Sequence, residues 1–468
     1  MAKAKKLTPA AVAALGAERL AALLLEAAEY DPALMRSVRI AVASRIDAAA
    51  AAAEIDQQIR SLRRSTAFVD YRQRMAFARD LGALVDAIAG PLADLDPAGA
   101  LARMLDFIAL APSVFERSDD NGTIGDQFQT ACAAVAALIE RTPPGPAIEE
   151  LVRRGYALYL ADDYGVADGL VAALAKGLKP QRRATLKSWI EADLARRPSD
   201  AAQDETSARG RLDAWRLARA LADVADAAGD VDGYCAAQQR MGPRVCDDAG
   251  MARRLLDAGR PADALAALTA AEPNPAKNAT ELADLRIIVL DALGRGEEAQ
   301  ALRWSEFERG LRVEPLRAYL KRLSDFADVD KEEEALDLVA THPDVQGALA
   351  FLTAWPDLRR AGALVRVKFD GIDGNGWWTL TPAAERLENK EPLAASLLYR
   401  RMIDFTLDRG RSQRYGHASR HLLSCAALAP LVIDWQGHQP HAEYALGLRQ
   451  RHPRKSSFWS RVDGPTGK

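Results

Sequence analysis

Apolar residues recur along this chain at three- and four-residue spacing, the period of helices that bury one face. Leu20, Leu23, Leu24 and Ala27 share such a face. Thr8-Pro9 ahead of them reads as a cap and a first helical residue, while Asp31-Pro32 ends that helix and starts the next. Asp47 leads into the alanine run 48–53, and Ile55, Ile59 and Leu62 carry the period on, which predicts one long helix. Alanine is the strongest helix former, so the run is structural. Further helices are expected around residues 71–88, 98–111 and 127–140. One short alternation, Val365, Val367 and Phe369 set against Arg366 and Lys368, predicts the one strand of the chain.

Breakers divide the pattern. Arg141-Thr142-Pro143-Pro144-Gly145-Pro146 is the strongest, and the polar stretch 198–210 reads as a long loop. Beyond them a motif repeats. Leu256-Asp257-Ala258-Gly259-Arg260-Pro261-Ala262-Asp263-Ala264 is followed by Leu268, Ala271 and Pro273, and Leu293-Gly294-Arg295-Gly296-Glu297-Glu298-Ala299 is a second copy. Gly259 and Gly294 stand 35 residues apart, close to the ~34-residue period of tetratricopeptide (TPR) repeats. The glycine permits a left-handed turn, and the small residue five positions later lets two antiparallel helices approach. Ala228-Gly229-Asp230 is a weaker copy, residues 159–180 a weaker one still, and a last unit begins at 387–395, with Leu398, Met402 and Phe405 on one face. The expectation is an all-α fold: an N-terminal helical domain (1–142), a degenerate TPR-like helix–turn–helix solenoid (147–330) of four to six helix pairs counted along the chain, and a C-terminal helical region (331–468).

Composition agrees with that picture. Hydrophobic residues make up 49% of 468, charged residues 27% and aromatics 6%, and the dominance of alanine and leucine favours helix over sheet. Cys132, Cys235, Cys246 and Cys425 form no CxxC pair, which points to a reducing, cytoplasmic setting without disulfides. No uncharged run is long enough to cross a membrane, and no signal-peptide core follows the basic N-terminus. The net charge of −3 is uneven. Residues 400–468 hold 12 lysines and arginines against 5 acidic residues, a surplus of +7, which suits an acidic partner or nucleic acid. A solvated arginine-rich helical surface is the plainer account.

Three stretches carry a family resemblance: Glu116 to Asp126, Pro392 to Arg400 continuing to Tyr415-Gly416-His417-Ala418, and His441-Ala442-Glu443-Tyr444 continuing to Leu448, Arg449, His452, Lys455, Phe458 and Trp459. Together they resemble an uncharacterised bacterial family of helical proteins and the helical-repeat region that accompanies SWIM zinc-finger modules. The CxC and CxH elements of that zinc module are absent. The resemblance implies a helical-repeat fold and no assigned activity.

Candidate chemistry is sparse. The loop Asp119-Asp120-Asn121-Gly122-Thr123-Ile124-Gly125-Asp126 invites a calcium reading, but an EF-hand register puts Arg117 in the first ligand position and Phe128 in the last. A turn in which Asp126 caps the helix from Gln127, with Gly122 and Gly125 allowing the tight bend, is the structural reading; Asp119, Asp120 and Asp126 remain candidate partner-binding residues. Five of six histidines lie between His417 and His452. His417 and His421 stand at i, i+4 and are weak metal candidates, but no HExxH glutamate accompanies them and Arg420 adjoins His421. Trp377 and Trp378 follow a turn-rich loop and belong either to a recognition surface or to the core between repeats. Tyr415 and Arg420 complete the candidate partner-binding set. No GxSxG, Walker A or GxGxxG motif occurs. The functional expectation is a non-enzymatic scaffold that binds a protein or peptide partner in a helical-repeat groove and needs no cofactor. The alternatives are nucleic-acid association through residues 400–468 and a cryptic metal-dependent enzyme.

Overall fold

Helix ends set this architecture, because each turn decides where the next helix lies. At Gly229, Gly259 and Gly294 the backbone is left-handed, with φ of 68°, 72° and 71°. The following amide then reaches back five residues: Asp230 N–H donates to Ala225 O, Arg260 N–H to Leu255 O and Arg295 N–H to Leu290 O, each at 2.9 Å. These bonds satisfy carbonyls that a helix end otherwise leaves unpaired. Five residues after the glycine, Ala264 and Ala299 are fully buried, whereas the first copy carries Tyr234. That substitution is why the 229 turn reads as a weak copy although its backbone is the same.

The computed structural model describes residues 8–196, 208–271 and 278–464. Among them the fold is all-α, and the one β-type contact is an isolated bridge between Val69 and Ser118. The expected loop at 198–210 falls largely outside the described residues, although helix Ala208–Ala228 already covers its end. The expected strand at 365–369 is helix instead. Asp357 accepts Arg360 N–H at 2.9 Å and caps a helix over Leu358–Val367. Ala361, Leu364 and Val365 are its buried face, Val367 is exposed, and Phe369 begins a 3-10 turn. The apparent alternation is the tail of a period-3.6 pattern.

The chain forms two compact units, residues 1–277 and 278–468. In the first, α1 (Pro9–Ala13), α2 (Ala17–Tyr30), α3 (Pro32–Ile46) and α4 (Ala48–Arg64) follow one another. Thr8, Asp31 and Asp47 cap α1, α3 and α4 through their side-chain oxygens. One apolar core then runs from Ile40 to Met251, with Phe107 stacked on Phe128 at 4.9 Å between ring centroids. Ile139 and Ile148, on either side of the 142–147 breaker, belong to this one core. In the second unit the core gathers around Phe307 and Phe351, whose ring centroids are 5.6 Å apart, and extends to Leu448, Phe458 and Trp459.

A second capping pattern recurs that periodicity does not reveal. Asp96, Asp230, Asp247 and Asp344 each accept the N–H of a glycine three residues on, at 2.8–2.9 Å. A β-carbon on any of these glycines would collide with the capping carboxylate, so Asp-x-x-Gly is the sequence sign of this cap. Asp247 also accepts the Tyr234 hydroxyl at 3.1 Å. Its replacement, Asp247→Ala, is expected to cost about 1–2 kcal/mol in chemical denaturation; an unchanged midpoint would remove the cap from the account of stability.

Asp223, on helix Ala208–Ala228, leaves one carboxylate oxygen without a hydrogen bond. Burial, opposed by Arg219 and reinforced by Asp226 and Asp168, lifts its carboxyl to about 7. In the unfolded chain an aspartate titrates near ~3.9. The stability this group contributes is therefore complete below that value and is lost as pH rises through about 7. Asp223→Asn should change stability little at about pH 4 and raise it at about pH 8 by on the order of a few kcal/mol, read from denaturation midpoints.

Candidate functional site

The acidic loop is a helix start. Helix Thr123–Arg141 begins four residues earlier than the sequence suggests, after Gly122 at φ 106°. Asp120 is the capping residue: its carboxylate accepts Ile124 N–H at 2.9 Å and Gly125 N–H at 3.0 Å. Asp126 lies in the first turn and does not cap, which corrects the expectation, and Gly125 is helical rather than part of the bend. Asp119 and Asp126 are exposed. Beneath the loop, Arg117 is buried and donates to Ala67 O at 3.0 Å. Its guanidinium lies 5.4 Å from the centre of the Phe77 ring, and burial lowers its pKa.

The C-terminal histidines take separate partners. His417 is exposed and its Nδ1 lies 3.0 Å from Arg420 Nη2. His421, one helical turn on, stacks on Tyr399 at 4.9 Å between ring centroids. Burial, with His417 and Arg420 adding to it, lowers the His421 pKa to about 4. His438 meets Phe369 edge-on, and His452 Nε2 lies 3.0 Å from Asp408. Among the described residues, no three His, Cys, Asp or Glu side chains converge to hold a metal ion. Tyr415 is buried and packs edge-to-face on Phe458, so its ring serves the core rather than a surface.

The buried cation Arg400 has no warning in the motifs. It is 3% exposed, and its Nη1 donates to Gln439 O at 2.7 Å. The Tyr444 and Trp435 ring centres lie 4.5 and 4.8 Å from its guanidinium. The Cys425 thiol is close by, pushed up to about 11 by burial against the opposing effects of Ser396 and Arg400. A thiol that stays protonated is a poor nucleophile. The sign that could have found Arg400 is its helix, Pro392–Asp408, which is apolar nearly all round and so must bury any charge in its middle.

Trp377 and Trp378 are the exposed pair, 53% and 62% accessible, with ring centroids 6.1 Å apart. They open helix Trp377–Leu387, and the loop before them is clamped. Arg401 donates to Ile372 O through Nε at 2.9 Å and Nη2 at 2.7 Å. Arg414 Nη1 donates to Asn375 Oδ1 at 2.9 Å, and Gln346 Nε2 to Asp373 O at 3.4 Å. Gly374 sits so close to the Arg401 carbonyl that a side chain there would collide with it. The two indoles are thus held on a fixed base with arginines beside them. Core packing between repeats, the other expectation for this pair, does not occur.

These features define an all-α protein built from successive helix–turn–helix units. The chain belongs to a family of unknown function, DUF6880, whose model matches residues 2–461. No curated protein and no solved structure matches the chain. Among the described residues no helix is long and apolar enough to cross a membrane.

His421 provides a pH test of the C-terminal packing. An unfolded histidine titrates near ~6.5, above the folded value of about 4. The stability from the neutral ring is complete above the unfolded pKa and is lost as pH falls through the folded one. His421→Phe keeps the stack on Tyr399, so the drop in thermal midpoint between about pH 7.5 and about pH 4.5 should shrink. A drop as large as that of the parent chain would assign acid sensitivity elsewhere.

Proposed function

We propose that this chain is a non-enzymatic interaction scaffold that holds an acidic protein segment against the Trp377–Trp378 face of its C-terminal unit. The observation that carries the reading is the exposure of two adjacent tryptophans on a clamped loop. Exposed tryptophan is costly in water and is enriched where binding energy concentrates. A base fixed by Arg401, Arg414 and Gln346 spares a partner the entropy of ordering the loop. Arg414 bonds a residue of the same loop, and Arg409 and Arg411 are exposed nearby in sequence, which favours a partner rich in aspartate and glutamate. The helix–turn–helix array, read as TPR-like and akin to the helical region beside SWIM modules, supplies the frame. A reducing bacterial cytoplasm suits the four free cysteines.

The +7 surplus of residues 400–468 supports nucleic acid as a second reading. Arg449 and Arg451 pair with carboxylates and Arg400 is buried, while Arg409, Arg411, Arg420, Arg454 and Arg461 are exposed and could meet phosphates. Fluorescence anisotropy with DNA and RNA at low salt decides it: binding should fall steeply as salt rises, and no binding at low salt ends the reading.

The scaffold is tested with parallel affinity captures from host extract using the parent chain and a Trp377→Ala, Trp378→Ala variant. Because both side chains are exposed, the variant should keep its thermal midpoint. A partner enriched by the parent should fall roughly tenfold or more with the variant. Equal enrichment by both, or none by either, would sink the proposal.

A further inference from the structure

Helices α2 and α3 of the first unit leave apolar side chains exposed. α2 packs on α3, and α3 on α4. In α2 the one buried residue is Ala28, while Leu23 is 37%, Leu25 50% and Tyr30 86% exposed. On α3, Ile40 and Ala43 face the core, and Val42 and Ile46 stand 59% and 71% exposed. Leu23, Ala27 and Tyr30 lie at four- and three-residue spacing along α2, as do Met35, Arg39, Val42 and Ile46 along α3. That spacing makes a stripe suited to side-by-side helix packing.

Charge indicates what covers it. α2 carries Glu18, Glu26 and Glu29 against the single Arg19, and α3 carries Arg36, Arg39 and Arg45 with no acidic residue. Arg36 is engaged by Asp80 within the unit at 2.5 Å. Glu26, Glu29, Arg39 and Arg45 form no ion pair among the described residues. One helix is thus acidic and its neighbour basic, with Arg39 within the α3 stripe and Arg45 at its flank, a charge pattern that suits α2 of one copy meeting α3 of another.

We propose that the α2–α3 hairpin pairs with the same hairpin of a second copy of this chain, α2 of each against α3 of the other, in an antiparallel four-helix arrangement. The leucine, tyrosine, valine and isoleucine side chains close the seam, and Glu26 and Glu29 of one copy face Arg39 and Arg45 of its mate. Two helices of this length present a face on the order of 400 Å² per copy, smaller than the ~800 Å² per partner of a standard stable complex. The dimer is therefore weak and concentration-dependent. The apolar seam supplies affinity, and the charges set which helix meets which.

Sedimentation velocity of the full chain, from roughly micromolar to several hundred micromolar, should show a monomer–dimer shift. Two charge-reversed chains then test the orientation. Glu26→Arg with Glu29→Arg makes both helices basic, and Arg39→Glu with Arg45→Glu makes both acidic. Each alone should weaken self-association by about tenfold or more, and an equimolar mixture of the two should recover it as a heterodimer. Recovery on mixing also shows that neither variant has simply unfolded. A parent chain that stays monomeric at the highest concentration overturns the proposal. So does a dimer indifferent to both reversals, an absence of recovery on mixing, or capture of a different protein on this face by a monomeric chain.

Discussion

Most of the described helices bury one stripe against helices close to them in sequence, and that constraint governs much of the rest. A helix of ten to fifteen residues is marginal alone in water. It persists here because the turn that follows it folds the next helix back onto its apolar face. The left-handed glycines at 229, 259 and 294 and the Asp-x-x-Gly caps do this locally. Fully buried residues such as Ala264, Ala299 and Phe307 then convert the turn into a packed seam. The surface ion pairs that accompany the turns, Arg260 with Asp263 and Arg295 with Glu298, are exposed, and water screens them so that they add little to stability. They select a register that packing has already stabilised.

Polar groups inside the seams are where the packing is costly. Arg400 gives up water for one carbonyl and two aromatic faces. Asp223 holds its proton to about neutral pH, and His421 refuses one until well below it. All three shifts have burial as their largest cause. Asp223, in the first unit, and His421, in the second, make stability depend on pH, whereas Arg400 stays charged throughout the accessible range.

The features that point outward are of a different kind. The Trp377–Trp378 pair stands on a loop with its hydrogen bonds satisfied, and the α2–α3 hairpin leaves a stripe that its own unit does not cover. Both are places where the rule of burying apolar surface is broken, and both carry neighbouring unspent charge. The proposed interactions rest on those breaks.

Much of the helical pattern was legible along the chain. The caps at Thr8, Asp31 and Asp47, the glycine turns at 259 and 294, and the all-α class follow from local chemistry, which acts over one turn of backbone. Local reading erred where two periods coincide over few residues, as at 365–369, and where a cap could fall on either of two aspartates, as at Asp120 and Asp126. The candidate sites were less legible, because burial is set by elements far apart in sequence. Trp377 and Tyr415 are both aromatics close to helix starts, yet one is exposed and the other lies under Phe458. His417 and His421 share a helix, yet only His421 meets Tyr399. The sequence by itself determined helices, caps and turns, since these depend on neighbours within about five residues. Tertiary structure alone decided which charges are buried and which aromatic faces are left in water, since that depends on which helix a turn brings alongside.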